Sequence, residues 1–253
     1  MNDYSSLLGS AAYNYSYLIL LLPGIVLGLI AQLLVKTRFA SYDKVKSKKN
    51  ITGAQAAQFL LQKSGINDVR VVHISGNLTD NYNPTNKVLS LSDATFSSTS
   101  IDAIGVAAHE TGHAIQHHVN YQPLNTRSRI VPAANFGSRF GPILVMLGIL
   151  AGSASTASSQ FAQFAGLSNI ITMAGIALFS LAVLFSLVTL PVEFNASNRA
   201  LKILKEYDVF DSDELSGTRK VLGAAAMTYV ASALSAIGSL LRLMLIAKSN
   251  KRR

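Results

Sequence analysis

The sequence predicts a mainly α membrane protein, with three to four hydrophobic helices carrying a small α+β unit. Composition, charge and the spacing of apolar stretches predict it. Charged residues are 14% of the 253 and hydrophobic residues 49%, where an ordinary soluble domain has about 25% charged. Mean hydropathy is +0.33. The net charge is nevertheless +9, from 22 Lys+Arg against 13 Asp+Glu, a combination that suits cations lying beside a bilayer. Disorder is excluded because it requires low hydrophobicity. A nucleic-acid partner is excluded too, since its basic residues would stud an otherwise polar surface. With no cysteine, there is neither a disulfide framework nor a thiolate metal site, so any metal must be held by His, Asp or Glu.

Residues 1–36 form an N-terminal membrane anchor. Tyr17 to Val35 is 19 residues without a charge, nearly the length that crosses a hydrocarbon core of ~30 Å. Pro23 and Gly24 are tolerable in a membrane helix. Asp3 and the lack of Lys or Arg ahead of this stretch do not suit a secretory signal. Lys36, Arg38, Lys44, Lys46, Lys48 and Lys49 follow it. By the positive-inside rule the amino terminus is then outside and this flank cytoplasmic. The basic run itself is a solvated topology signal, with anionic lipid a secondary partner.

Residues 37–139 are expected to fold as a cytoplasmic α+β unit. Thr52 to Lys63 has helical apolar spacing, and Val69 to Ile74 is β-branched and strand-like. Asn81 to Asn86 is turn chemistry, and Lys87 to Leu91 alternates like an exposed strand. Thr99 to Asp102 has the form of a capping box that opens a helix running to about His118. Residues 140–190 form a membrane hairpin. Ile170 to Leu190 is long enough to span, and Phe140 to Ala157 spans if its Ser and Gly positions face other helices. The uncharged Gly152 to Gly166 is the external turn, and Pro191 returns the chain to the cytoplasm. Residues 191–220 are polar. Residues 221–253 hold an apolar helix and a basic tail. A full crossing by this last helix would put Lys248, Lys251, Arg252 and Arg253 outside, against the rule, so it is expected to reach membrane depth without a clean crossing.

The chemistry lies in VAAHETGHAIQHH. On a helix, positions i and i+4 share a face, so His109 and His113 can aim their imidazoles at one Zn²⁺. Glu110 beside them is left to act on the attacking water. The five-residue pattern also arises by chance, but here the helical context is right and His117 and His118 extend a His-rich face. A catalytic zinc takes three protein ligands. His117 lies two turns beyond His109, ~12 Å along the axis, and the position ten residues after His109 is Val119. Glu193 sits just inside the polar boundary after the hairpin, where an unpartnered carboxylate is expensive. The alternative for it is a solvated carboxylate at a helix start. Glu206, Asp208, Asp211, Asp213 and Glu214 lie in a solvated run that looks like surface. His73 reads as an ordinary, partly buried strand histidine.

AAHETGHAIQHH, PVEFNASNRA after two hydrophobic segments, and VLGAAAMTYVASAL near the end together resemble the membrane-bound neutral zinc metallopeptidases of bacteria. NYNPTNKVLSLSDATFSSTSIDAIGVAAHE and YQPLNTRSRIVPAANFGS carry the same resemblance, which runs from about Thr52 to Leu243. It implies a zincin-like unit with one zinc per chain held by His109, His113 and Glu193, and Glu110 as general base. A looser likeness is to the HtpX-like membrane proteases, which also place two membrane segments between HExxH and the third ligand. In those the glutamate is followed four positions later by an aspartate, where this chain has Ser197. Asn195 and Asn198 are then candidates for orienting a zinc-bound His. The transition-state oxyanion needs a further donor. Tyr229, Tyr121, Arg219 and Arg242 are available, although packing or an interfacial position is the simpler role for Tyr229. The function expected is a membrane-embedded zinc endopeptidase, its partners the lipid bilayer and a peptide or membrane-protein substrate. The other class is a non-catalytic membrane scaffold with a structural or vestigial metal site.

Overall fold

The computed structural model describes residues 3–157 and 165–250. Its elements in chain order are α1 (Asp3–Tyr42), α2 (Gly53–Lys63), β1 (Arg70–His73), β2 (Asn81–Asn83), β3 (Val88–Leu91), α3 (Asp93–Phe96), α4 (Ile101–His118), α5 (Gln122–Ala157), α6 (Ala165–Glu206) and α7 (Ser212–Asn250). This is the mainly α architecture expected, with a three-stranded sheet. The chain divides into two compact units, one of Met1–Gly28, Arg127–Val188 and Val230–Arg253, the other of Leu29–Thr126 and Thr189–Tyr229.

The second unit carries the α+β element. A reciprocal capping box starts α2: the Thr52 side chain accepts from the Gln55 N–H, and Gln55 accepts from the Thr52 N–H. The sheet has the order β1-β3-β2, with β3 parallel to β1 and antiparallel to β2. Two expectations are corrected here. Asn81 to Asn83 is a strand, because Tyr82 pairs opposite Leu89, and the turn begins only after it. The strand from Val88 is central and largely buried, its Leu89 and Leu91 fully so, in the core with residues of α2 and α4. The α4 cap falls one residue later than Thr99: the Ser100 hydroxyl accepts from the Ala103 N–H. Leu60, Leu89, Leu91, Ile104 and Leu204 join in one core, so α2, the sheet, α4 and the C-terminal end of α6 are held together by apolar burial.

The expected solvated run after Glu206 contains a buried carboxylate. Glu214 accepts from the backbone N–H groups of Asp211 and Lys48, and Asp211 accepts from those of Asp213 and Glu214. That closes a capping box at the start of α7. The Glu214 N–H, with the Lys48 ammonium beside it, holds the Asp211 carboxyl below the usual carboxylate range. His73 is likewise corrected. It is exposed and pairs with Asp93 at 2.6 Å.

The first unit is built from long helices. α1, α5, α6 and α7 are each long and apolar enough to cross a membrane, α7 included, so its length and composition permit the full crossing that the charge rule disfavoured. Their Ile19, Leu33 and Ile170 side chains are about two-thirds exposed, a surface suited to lipid. As the hairpin required, small residues on α5 face α6. A Cβ at Gly141 would lie 2.9 Å from the Gly175 carbonyl oxygen, and one at Gly175 2.7 Å from that of Gly141, a close approach that permits tight packing of membrane helices. The central part of the expected turn, 158–164, lies outside the described residues. α6 does not end at Leu190. It continues through Pro191 to Glu206, so Glu193 stands in mid-helix and not at a helix start.

Candidate metal centre

α4 presents His109, Glu110 and His113, and α6 presents Glu193. The two helices approach closely because Gly112 has no side chain: a Cβ there would lie 2.6 Å from the Ala196 carbonyl oxygen. His109 Nε2 is 3.3 Å, and His113 Nε2 3.5 Å, from the same oxygen, Oε2 of Glu193. The three ligand atoms lie within 4.8 Å of one another. The rings stand edge to face, their centroids 4.8 Å apart. Glu193 is 2% exposed, Glu110 and His113 8% each.

The donor set fits zinc. Separations of 3.3 and 3.5 Å exceed the 2.7–2.9 Å of a charge-assisted hydrogen bond. These two separations match an edge, about 3.4 Å, of a tetrahedron with corners ~2.1 Å from its centre, the usual Zn–N and Zn–O distance. Electrostatics agree. Burial alone would lower the His113 pKa, but the Glu193 and Glu110 carboxylates beside it outweigh burial and raise it. A site that favours a proton in this way favours a cation generally.

Both Nδ1 atoms are engaged elsewhere, which leaves both Nε2 atoms aimed at Glu193. His109 Nδ1 is 3.1 Å from the Ser197 hydroxyl. The serine in place of the expected aspartate therefore meets the first histidine itself. His113 Nδ1 is 3.0 Å from Oε1 of Gln116, whose amide nitrogen donates to the Val192 carbonyl and to Asn195 Oδ1. Asn195 thus reaches a ligand only through Gln116, and Asn198 is exposed. Gln116 was missed in the sequence. It lies one turn after the second histidine and is fully buried, but a neutral amide at that spacing carries no signal in the sequence. His117 lies outside the cluster of His109, His113 and Glu193, and its Nδ1 is 2.8 Å from the Tyr82 hydroxyl. Burial, with the Asp68 charge, pushes the Tyr82 phenol up to about 12.

A cavity of about 130 Å³ is lined by His109, Glu110, Glu193, Asp80 and Tyr229, with Ala225 and Ala226 among its apolar wall. It exceeds the roughly 10–15 Å³ that one water needs. Of the oxyanion donors foreseen, Tyr229 lines it. Tyr121 lies instead beneath the Arg199 guanidinium, and Arg219 and Arg242 are exposed.

A family described as "Putative neutral zinc metallopeptidase" matches residues 17–248. The "Putative membrane protease YugP" of Bacillus subtilis (strain 168) is 42% identical over 230 residues, covering 91% of this chain and 96% of its own length. No solved structure matches. The family match takes in the HExxH helix, the helix of Glu193 and all four membrane-length helices, and the chain accordingly belongs to the neutral zinc metallopeptidase family so described.

Proposed function

We propose that the chain is a membrane-embedded endopeptidase in which His109, His113 and Glu193 hold one Zn²⁺ and Glu110 is the general base. The observation that carries this reading is the convergence of both imidazole Nε2 atoms on one carboxylate oxygen of a different helix. A bound zinc supplies Lewis acidity, polarising the scissile carbonyl and acidifying a water to a pKa of ~7. Glu110 takes the proton from the attacking water and passes it to the leaving nitrogen. Its carboxylate is 8% exposed and lines the cavity, where it can meet that water. Tyr229 donates to the oxygen that gains charge. The substrate is a peptide segment of a membrane or membrane-associated protein, cut at the cytoplasmic face, as the basic flank after α1 orients the chain.

The test is Glu110→Gln in purified full-length protein. The amide keeps the shape but cannot accept the proton, so zinc content stays at the parent's level and peptide cleavage falls by about 10²–10⁴. Cleavage at the parent's rate would overturn the assignment of Glu110.

A further inference from the structure

We infer that Gln116 is a positioning residue that fixes the proton of His113 on Nδ1 and so reserves Nε2 for the metal; this rests on the metal-site reading above. The inference follows from which atoms can only give and which can only accept. Gln116 is fully buried. One end of its amide lies 2.8 Å from the Val192 carbonyl oxygen, which can only accept, so that end is the NH₂ group. The same NH₂ donates to Asn195 Oδ1 at 3.0 Å. Asn195 is itself fixed from the far side, because Arg199 Nε, which can only donate, lies 2.7 Å from that oxygen. The end of Gln116 facing His113 is therefore the carbonyl oxygen, an acceptor, at 3.0 Å from Nδ1. A neutral imidazole there must carry its proton on Nδ1, and its lone pair is on Nε2.

The chain of partners runs from His113 on α4 through Gln116 to Val192, Asn195 and Arg199 on α6. It thus joins the helix of the two histidines to the helix of the glutamate, independently of any metal. His109 lacks such a lock. Its Nδ1 meets the Ser197 hydroxyl, which can donate or accept and so accommodates either tautomer.

Two measurements test this. The first is imidazole ¹⁵N NMR of the metal-free full-length protein in alkaline solution, where His113 is neutral. The Nδ1–H form is expected; a dominant Nε2–H form overturns the inference, whether or not the protein binds zinc. The second compares zinc affinity in Gln116→Leu and Gln116→Glu. Leucine removes the acceptor and is expected to weaken zinc binding 10- to 100-fold. Glutamate keeps an acceptor toward Nδ1 but turns its second oxygen on the Val192 carbonyl and Asn195 Oδ1, so it is expected to bind zinc more weakly than the parent yet more tightly than the leucine variant. A purely structural role predicts the opposite order, since a buried apolar residue is tolerated better than a buried charge. Leucine binding zinc as tightly as the parent, or glutamate more weakly than leucine, overturns the proposal. A parent that binds no zinc removes the metal reading instead, and the tautomer still decides the role of Gln116.

Discussion

Gly112 touches no ligand, yet it sets the distance between the two helices that carry the ligands. The Cβ of Gly112→Ala would meet the backbone of Ala196, which cannot rotate away as a side chain could. α4 must then shift from α6, at a cost of about 1–3 kcal/mol. Zinc affinity should fall along with the thermal midpoint; an alanine variant with unchanged zinc affinity would show that the helices do not meet there. At this scale the sequence disclosed unevenly. His109 and His113 were legible because helical periodicity is local and puts i and i+4 on one face. Glu193 was legible because a carboxylate at a membrane boundary needs a partner. Gln116 and Ser197 were not, because their roles depend on which residues of α6 stand opposite α4, and a neutral amide or hydroxyl gives no charge signal. His73, assigned to a half-buried strand, lies instead at an edge strand's exposed end with Asp93.

Local elements were read well where the pattern was strong, as with the apolar spacing of α2, and poorly where neighbours decide. β3 alternates as an exposed strand would, but it is the central strand, and Leu89 and Leu91 are buried in the core with Leu60 and Ile104. Glu214 sits among charges and still turns inward, because it caps the start of α7 and ties it to the Lys48 backbone. Glu214→Ala leaves both of those N–H groups without this acceptor and should cost about 1–3 kcal/mol, read as a lowered thermal midpoint with zinc content unchanged. The same cap has a pH signature. The Asp211 carboxyl titrates below its ordinary value, so its contribution is complete above the normal carboxylate range and is lost as pH falls through the depressed pKa. Acid unfolding of Asp211→Asn should therefore depend less steeply on pH in that window. An unchanged slope would remove the cap from the account.

For the whole molecule, four helices are long and apolar enough to cross a membrane, and the proposed orientation rests on the basic flank behind the first. An amino terminus outside would make the Lys44–Lys49 run cytoplasmic, and four crossings would bring the carboxyl terminus back outside. The absence of native cysteine makes this simple to map, since each single-cysteine variant has no background. Lys44→Cys should react with an impermeant thiol reagent only after cells are opened; labelling of intact cells would place the site on the outer face. Most of this architecture was visible in hydropathy alone, because a bilayer imposes length and apolarity on whatever crosses it. The unbroken run of α6 through Pro191 was not, since proline in a membrane-length helix is tolerated or not according to what neighbours it.

The central claim is that a histidine pair on α4 and a carboxylate on α6 together hold a metal ion. Its most direct measurement is zinc bound per chain in purified parent protein and in Glu193→Ala after exhaustive dialysis. About one zinc in the parent and a near-complete loss in the variant is the predicted result; a parent without zinc, or a variant that retains it in full, would contradict it.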